Sequence, residues 1–383
     1  MTTTREILED LVAFDTTSRG SNLALIGYVE AILDAHGVPN RRVMSPDGDK
    51  ANLLARIGPD VPGGVVLCGH TDCVPVDGQP WETDPFTLVE DAGRLYGRGT
   101  SDMKGFIAAV LAALPRMVEA ELARPIVLAL TYDEEVGTVG APSAVAGLHE
   151  WYPSPSAVLV GEPTSMEVVT DHKGVWAFTV DVEGKDGHSS QPQFAANAIA
   201  AAARIAVYID DLATRHREAE ADPRFTPPYT TFNLALVEGG TAINIVPRRC
   251  RLRWEYRAVP ADDNAAIADD VERFIREDVV PRLRNPTGVG DVTVTPRRPT
   301  RALSREDDGV AEALARRLAG YDGPTRTVPF GTDGGHFQAG GFSTVICGPG
   351  SIDQAHTPNE WIEVLQLDAC DEYLRRLVDE LSA

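Results

Sequence analysis

The feature of this sequence that most restricts its fold is a series of short apolar runs that alternate with helical segments. The runs are NLLARIG, GVVLCGH, PIVLALTYDEE and AVLVGEP. Strands this continuously apolar are typical of a sheet that is covered on both faces. The segment MKGFIAAVLAALPRMVEAEL predicts a long helix between two of them. The pattern therefore predicts an α/β fold with a mostly parallel mixed sheet flanked by helices.

The pattern changes after His172, where GVWAFTVDVEG alternates like a half-exposed antiparallel strand. The segments predicted to follow are a helix over 195–213, strands near 229–238 and 248–258, a helix over 263–284 and a strand near 290–297. This β-α-β-β-α-β order is the ferredoxin-like motif. We therefore expect a catalytic domain in two parts, 1–175 and 299–383, with a ferredoxin-like α+β domain inserted over 176–298.

Charge and composition argue against several classes of partner. The 383 residues carry a formal net charge of −22, which would repel nucleic acid and anionic membranes. No apolar run reaches the roughly 18 residues of a membrane span, and the N-terminal MTTTREILEDLVAF carries charges where a signal peptide needs an apolar region. The five cysteines form no CxxC pair, which fits a reducing compartment. We expect a cytoplasmic protein without nucleic-acid or membrane partners.

Acidic and imidazole side chains stand at the ends of the predicted strands, where open α/β sheets bind ligands. They are His70 and Asp72 after GVVLCG, Asp102 after GRLYGRG, Glu134 and Glu135 in TYDEE, Glu162 in VGEP, and His356 in the loop GPGSIDQAHTPNE. Two His and several carboxylates without Cys suit a divalent ion bound by nitrogen and oxygen. The carboxylates are too many for one zinc ion, so one of them could bridge a pair of ions about 3.5–4 Å apart.

The spacing of these residues indicates separate roles for neighbours. Side chains at i and i+2 share one face of a strand, so Asp72 could accept a hydrogen bond from the ring nitrogen of His70 that binds no metal. Glu134 and Glu135 end a strand, where both could reach one cleft. One would then bind metal while the other takes a proton from the attacking water. Each residue alone is more often structural, and the hypothesis depends on their combination.

The order of motifs resembles that of the di-zinc amidohydrolases and exopeptidases, which include acetylornithine deacetylase, succinyl-diaminopimelate desuccinylase, aminoacylase and carboxypeptidase G. The motifs are GHTDCVP, LYGRGTSDMKG, TYDEEVG, GEPT, HKG, GHSSQP, GGTAINIVP, YRAVP and GPGSIDQAHTPNE. The resemblance runs from the first helix to the last residues and is greatest to the acetylornithine deacetylases. It implies that the protein binds two divalent metal ions. The expected metal is zinc, and cobalt is an alternative.

The resemblance also assigns roles within the metal centre. The implied ligands are Asp102 as the bridge, His70 and Glu162 at one ion, and Glu135 and His356 at the other. Asp72 is expected to support His70, and Glu134 to act as general base and acid. The peptide bond after Asp102 is expected to be cis.

The inserted domain resembles the lid and dimerisation domain of the family, which implies a homodimer. His188 in GHSSQP and Asn244 in GGTAINIVP are expected to donate hydrogen bonds to the oxyanion. Arg257 in YRAVP is expected to bind the α-carboxylate of the substrate. Gly331 and Thr332 in PFGTDGG are expected to line the substrate cleft.

The implied reaction is hydrolysis of the amide bond of an N-acyl amino acid, with N2-acetyl-L-ornithine as the expected small-molecule substrate in arginine biosynthesis. The loop Thr332-Asp333-Gly334 departs from the Thr-Glu common in acetylornithine deacetylases and is similar to that of the desuccinylase. A succinyl-diaminopimelate desuccinylase or a broader N-acyl-amino-acid deacylase is therefore an alternative. A dipeptidase or carboxypeptidase of the family and a non-catalytic binding protein are further alternatives, although the occupied ligand positions argue against the last.

Overall fold

The computed structural model describes residues 2–152, 154–219, 221–285 and 287–382. The chain divides into two compact units. Unit 1 comprises Met1–His172, Leu303–Val328 and Thr332–Ala383, and unit 2 comprises Lys173–Ala302 and Pro329–Gly331.

The strands are numbered along the chain. They are β1 (Asn40–Met44), β2 (Ala51–Ile57), β3 (Val65–His70), β4 (Val89–Asp91), β5 (Arg94–Tyr96), β6 (Ile126–Thr131), β7 (Ala157–Val160), β8 (Val169–His172), β9 (Gly174–Glu183), β10 (Gly187–His188), β11 (Thr231–Gly239), β12 (Ile245–Val246), β13 (Arg249–Ala258), β14 (Asp291–Pro296), β15 (Arg326–Val328), β16 (Thr344–Ile346) and β17 (Trp361–Glu363). The α-helices are α1 (Thr4–Val12), α2 (Leu23–Ala35), α3 (Gly105–Glu119), α4 (Ala141–Trp151), α5 (Ala198–Glu218), α6 (Ala266–Phe274), α7 (Val280–Arg284), α8 (Val310–Ala319), α9 (Gly334–Ala339) and α10 (Val364–Leu381).

Unit 1 is built on an eight-stranded sheet with the order β1-β2-β6-β3-β7-β16-β8-β15. Strand β3 runs parallel to β6 and β7, and β7 runs parallel to β16. Strands β1 and β2 extend one side in antiparallel register. The carboxyl ends of four neighbouring strands therefore meet at one edge, and the predicted mostly parallel mixed sheet is confirmed.

The apolar runs form strands because both of their faces are covered. Every residue of β3 and of β6 is buried. Leu67 and Leu128 pack in the same core as Val110 and Leu114 of α3. Truncating such a leucine to alanine typically costs about 2–5 kcal/mol, so the sheet–helix contact contributes substantially to the stability of unit 1.

One predicted strand has a different place in the structure. The stretch GRLYGRG contributes only β5, which belongs to a separate sheet of order β17-β5-β4. The chain then forms a π-helical turn over Thr100–Lys104, with Asp102 at φ −125° and ψ 91°, before α3 begins at Gly105. Asp102 is therefore presented by a turn and does not follow a strand of the main sheet.

Unit 2 contains a four-stranded antiparallel sheet of order β11-β13-β9-β14. Strand β13 alternates between buried and more exposed residues, and its buried Leu252, Trp254 and Tyr256 pack with apolar residues of α5 and α6. The order β9-α5-β11-β13-α6-β14 is the predicted β-α-β-β-α-β motif. The structure adds a two-residue ribbon of β10 and β12, which is too short for any sequence pattern to predict.

Among the helices that the structure describes, none is both long enough and apolar enough to cross a membrane.

Candidate active site

The carboxyl end of β3 presents the first imidazole of the site. His70 is 1% exposed, and its Nε2 lies 2.8 Å from Oδ1 of Asp102 and 3.9 Å from Oε1 of Glu162. The other ring nitrogen, Nδ1, lies 2.9 Å from the backbone carbonyl oxygen of Asp72. A hydrogen bond from Nδ1 to this carbonyl leaves Nε2 free to bind a metal ion.

The carboxylate of Asp72 contacts different groups from those expected. Its Oδ1 is 3.6 Å from Nδ1 of His70, which is too far for a hydrogen bond. It accepts hydrogen bonds from the Glu134 amide at 3.1 Å, the Glu135 amide at 3.3 Å and the Ser18 hydroxyl at 2.7 Å. The i, i+2 argument fails because β3 ends at His70, so Asp72 lies outside the strand. Asp72 supports His70 through its backbone and the Glu134–Glu135 turn through its side chain.

Glu162 follows β7 directly after Gly161, and it is 4% exposed. A Cβ atom at Gly161 would lie 2.2 Å from the ring of Phe106 on α3. Only glycine therefore fits between the sheet and this helix, and the chain can deliver the next side chain into the cluster.

His356 completes the group from a loop near the end of unit 1. Its Nε2 lies 2.8 Å from Oε2 of Glu135 and 3.4 Å from Oδ2 of Asp102. The two oxygens of Asp102 thus face different imidazoles, Oδ1 toward His70 and Oδ2 toward His356. The peptide bond between Asp102 and Met103 is cis, as the resemblance implies.

The five expected ligands form two overlapping groups. One is His70, Asp102 and Glu162, and the other is Asp102, Glu135 and His356. Within each group the ligand atoms all lie within 4.8 Å of one another. An imidazole and two carboxylates per group, without a thiol, are suited to zinc and similar divalent ions.

The cluster holds more negative charge than its two imidazoles neutralise. Burial, and then the nearby Glu162, raise the pKa of Glu134 well above its usual range. Burial, and then Asp102, raise the pKa of Glu135 to about 7 and that of Glu162 well above its usual range. Divalent cations would neutralise these buried carboxylates, so the residues present fit a metal centre.

The pKa values of the imidazoles are also raised, which for a histidine favours the charged form. Hydrogen bonds to Asp102 and then Glu135 raise the pKa of His356 to about 10. Burial acts to raise the pKa of Asp102, but the hydrogen bonds from His356 and His70 outweigh it and lower that pKa overall. The bridging position therefore favours the ionised carboxylate, which is the form that binds metal.

The expected substrate-binding residues of unit 2 lie on its short ribbon and on its sheet. His188 in β10 pairs with Ile245 in β12, so that Asn244 lies beside it, and both are exposed. The ring Nδ1 of His188 lies 2.7 Å from the Ser190 hydroxyl. Arg257 lies on β13 and donates from Nε to Glu255 at 3.2 Å.

The loop that contains Gly331 and Thr332 is divided between the two units. Thr332 is fully buried in unit 1, where its hydroxyl lies 3.1 Å from Nε2 of His172 and accepts a hydrogen bond from the Gly334 amide at 3.0 Å. In unit 2, a Cβ atom at Gly331 would lie 2.5 Å from the Thr300 methyl carbon. The Thr332 hydroxyl therefore already has partners within the protein.

Two buried carboxylates near the cluster were not predicted as site residues. Glu360 accepts a hydrogen bond from the Asp102 amide at 3.1 Å. Asp333 accepts one from the Thr131 hydroxyl at 2.6 Å through Oδ2, and its buried Oδ1 has no hydrogen-bond partner among the residues that the structure describes. The sequence offers one signal for Glu360, which is its position at the end of the motif HTPNE, directly before β17.

Comparisons with known proteins agree with this geometry. The chain is 37% identical over 381 residues to the acetylornithine deacetylase of Myxococcus xanthus, covering 98% of this chain and 96% of that protein. It is 33% identical over 384 residues to the acetylornithine deacetylase of Proteus mirabilis, covering 96% and 92%.

Solved structures share the fold at low identity. The aminopeptidase PepT of Bacillus cereus has a TM-score of 0.75 and 19% identity, covering 99% of this chain and 98% of that one. The M20 family metallo-carboxypeptidase Sso-CP2 of Sulfolobus solfataricus has a TM-score of 0.74 and 19% identity, covering 99% of both chains.

The family model for peptidase family M20/M25/M40 matches residues 66–380, which contain the whole acid and imidazole cluster. The match confirms the resemblance read from the motifs. The chain is therefore a hydrolase of the peptidase family M20/M25/M40.

Proposed function

We propose that this enzyme hydrolyses the amide bond of N2-acetyl-L-ornithine and releases L-ornithine and acetate. The observation that carries the reaction type is the pair of groups that share Asp102, with the buried Glu134 close enough to Glu162 and His70 to interact with their charges. The choice of substrate is supported by the two relatives named acetylornithine deacetylase, which match this chain over nearly its whole length. Arginine biosynthesis is the pathway we propose for it.

The cluster would hold two divalent ions. Its nitrogen and oxygen donors suit zinc, and cobalt could substitute for it. His70, Asp102 and Glu162 would hold one ion, and Asp102, Glu135 and His356 the other. When bound, such ions act as Lewis acids that lower the pKa of water and polarise a carbonyl group.

Glu134 is the residue that we propose to move the proton. Its carboxylate removes a proton from water as the water oxygen adds to the acyl carbon. It then gives that proton to the amine nitrogen as the carbon–nitrogen bond breaks. Burial, and then Glu162, raise the pKa of Glu134, which makes its carboxylate a stronger base than an ordinary glutamate and supports this role. Asp72 holds Glu134 in place through the backbone amide.

We propose that residues of unit 2, together with Thr332 of unit 1, bind the substrate. His188 and Asn244, side by side at the exposed ribbon, would donate hydrogen bonds to the oxyanion. Arg257 would bind the α-carboxylate with its planar guanidinium group. Gly331 and Thr332 would line the cleft, Thr332 through its backbone because its hydroxyl has partners in the protein.

We propose that the protein is a homodimer and that unit 2 provides the interface. Strand β11 is an edge of the four-stranded sheet, and its Leu234 and Val237 are 38% and 58% exposed. An exposed edge with apolar side chains favours pairing with another strand. Sedimentation showing a fully active monomer would refute the dimer.

We further propose that the protein works in the cytoplasm. All five cysteines are free and buried, although Cys68 and Cys73 lie close in sequence. Free thiols are typical of a reducing compartment.

The succinyl alternative was raised by the Asp-Gly pair in the loop after Thr332. Asp333 is 2% exposed and accepts a hydrogen bond from Thr131 at the end of β6. This contact lies within unit 1 and does not distinguish the two substrates, so the preference for the acetyl compound depends on the named relatives.

A substrate panel tests the proposal directly. The purified enzyme is assayed with acetyl, formyl and succinyl amino acids, including N2-acetyl-L-ornithine and N-succinyl-diaminopimelate, and with dipeptides. We expect acetylornithine to have the highest kcat/KM and a chelator to abolish its turnover. Rapid turnover of the succinyl compound without turnover of acetylornithine would transfer the assignment to the desuccinylase.

A further inference from the structure

A buried carboxylate that the proposed reaction does not use lies next to the cluster. Glu360 is 1% exposed and directly precedes β17. Its Oε2 accepts hydrogen bonds from Nη1 of Arg98 at 2.8 Å and the Gly99 amide at 3.0 Å. Its Oε1 accepts from the amides of Ser101 and Asp102 at 2.9 and 3.1 Å. One carboxylate therefore fixes the whole backbone segment that ends at Asp102.

The contacts continue from Arg98 to the second imidazole of the cluster. Arg98 is 1% exposed, and its Nη2 donates a hydrogen bond to Oε1 of Gln79. Nε2 of Gln79 donates to the backbone carbonyl of His356 at 3.0 Å. The guanidinium group of Arg98 lies 5.0 Å from the centre of the Trp81 ring, which restricts its movement. Glu360, Arg98 and Gln79, here named the clamp, thus connect the backbones of Asp102 and His356.

These two ligands need such support because no strand of the main sheet carries them. His70 ends β3, and Glu162 follows β7 by two residues, so the sheet fixes their backbones. Asp102 lies in an irregular turn, and His356 has φ 62° in a loop. Their backbone groups require hydrogen-bond partners from elsewhere, and the clamp supplies them.

We propose that Glu360, Arg98 and Gln79 are positioning residues that set the affinity for the metal ion held by Asp102, Glu135 and His356. The ion held by His70, Asp102 and Glu162 depends on the clamp only through Asp102. The inference rests on the proposed metal centre and is independent of the acyl substrate. Groups that orient metal ligands typically change metal affinity by about 10–100-fold when they are removed.

The first variant is Gln79→Leu, which removes the three side-chain hydrogen bonds of the half-buried Gln79, those with His356, Arg98 and the Trp81 indole, and leaves the buried Arg98–Glu360 pair intact. We expect it to lower the affinity for one of the two ions, the one held by Asp102, Glu135 and His356, by about 10–100-fold. The affinity for the other ion should stay within about twofold of the wild-type value. Gln354→Leu is the matched control. Gln354 lies in the same loop as His356, and its side chain makes no hydrogen bond to any residue that the structure describes.

The second variant is Glu360→Gln, which places an amide donor among backbone donors and leaves Arg98 without a charged partner. We expect it to lower the affinity for both ions, because both groups share Asp102. The affinity for the ion held by Asp102, Glu135 and His356 should fall more. Glu363→Gln, three residues further along and without a side-chain hydrogen bond in the described chain, is its control. Gln79→Leu carries the test if Glu360→Gln does not fold.

The measurement is a titration of the metal-free protein with Co²⁺, followed by calorimetry and by visible absorption of the bound ion, with a melting curve for each variant. The inference is supported if Gln79→Leu binds one of the two ions with lower affinity and the melting temperature of the metal-free protein is unchanged. Two ions of wild-type affinity in Gln79→Leu overturn it, as do two equally weakened ions with a lower melting temperature. Wild-type protein that binds two ions but does not hydrolyse acetylornithine would refute the proposed substrate and leave the clamp standing, whereas a single bound ion would overturn the clamp.

Discussion

The buried cluster of unit 1 and the exposed ribbon of unit 2 hold their functional side chains in opposite ways. His70 and Glu162 are 1% and 4% exposed, and neighbouring carboxylates and backbone groups surround them. His188 and Asn244 are exposed on a two-residue ribbon, where the described contacts of the His188 ring are with Ser190. Unit 1 fixes its geometry by itself, whereas the ribbon has little to hold its side chains. Substitutions in the first region should change chemistry or metal binding, and those in the second should change only steps that involve substrate.

The largest expected effect comes from Glu134→Gln in the cluster. Without a group to accept and return the proton, kcat should fall by about 10²–10⁴. Metal content should be unchanged, because the two candidate metal groups do not include Glu134. Steady-state kinetics with acetylornithine and metal analysis provide the measurement. Glu121→Gln, an exposed glutamate that precedes the amino end of β6 whereas Glu134 follows its carboxyl end, is the control. Near-normal turnover by Glu134→Gln would disprove the assignment.

His188→Ala tests the other region. Loss of one oxyanion donor typically lowers kcat by about 10²–10³. Metal affinity and melting temperature should stay at wild-type values, since the side chain is exposed and belongs to neither candidate metal group. Equal losses of metal and activity would break the contrast between the two regions. His36→Ala, an exposed histidine at the end of α2, is the matched control.

Arg257→Lys sharpens the assignment within unit 2. Lysine keeps the charge but lacks the planar pair of donors that matches a carboxylate. We expect KM for acetylornithine to rise about tenfold with little change in kcat, on the order of 1.4 kcal/mol of binding free energy. Arg253→Lys, on the same strand, should leave KM unchanged. A fall in kcat without a change in KM would show that Arg257 does not bind the ground-state substrate.

The smallest expected effect is on the pH dependence of stability of the metal-free protein. Burial, and then Asp102, raise the pKa of Glu135 from its ordinary 4.5 to about 7, so the folded state keeps a proton that the unfolded chain has released. This contribution to the free energy of unfolding is present below about pH 4.5 and is lost as the pH rises through 7. We expect the melting temperature of the metal-free protein to fall by several degrees between pH 5 and pH 8.

Metal-loaded protein is the control for this measurement, because bound cations remove the reason for Glu135 to hold a proton. Its melting temperature should change much less over the same range. A flat profile for the metal-free protein would mean that Glu135 is ionised throughout and that the cluster tolerates its negative charge without cations.

The strand ends of unit 1 could be predicted from the sequence because two rules act together there. Continuous apolar runs identify β2, β3, β6 and β7, and neighbouring parallel strands bring their carboxyl ends to one edge. His70, the pair Glu134–Glu135 and Glu162 follow from these rules, whereas the choice of Glu135 as the metal ligand of that pair comes from the family resemblance. The ferredoxin-like order of unit 2 could be predicted as well, because β9 and β13 alternate clearly between buried and exposed residues.

The support of the cluster could not be predicted in the same way. Glu360 reaches the Asp102 amide across 258 positions of sequence, and a carboxylate that accepts backbone hydrogen bonds has no characteristic spacing. The expected hydrogen bond between the Asp72 carboxylate and His70 is not formed, because the strand ends two residues earlier than the argument required. Both Glu360 and Asp72 accept hydrogen bonds from main-chain groups that are distant in sequence or lie in turns, and such contacts depend on turn geometry.

The order of strands has a consequence for how the enzyme is made. Strand β16 is the last of the eight to be synthesised, yet it lies between β7 and β8, which precede it by well over a hundred residues. A ribosome-bound chain that has not yet released β16 holds two separate half-sheets with unpaired edges, and His356 emerges later still. Completion of the fold and assembly of the site therefore both require the last part of the chain to be translated. A truncated product without that part would not be a partly active enzyme, and its unpaired strand edges would favour aggregation.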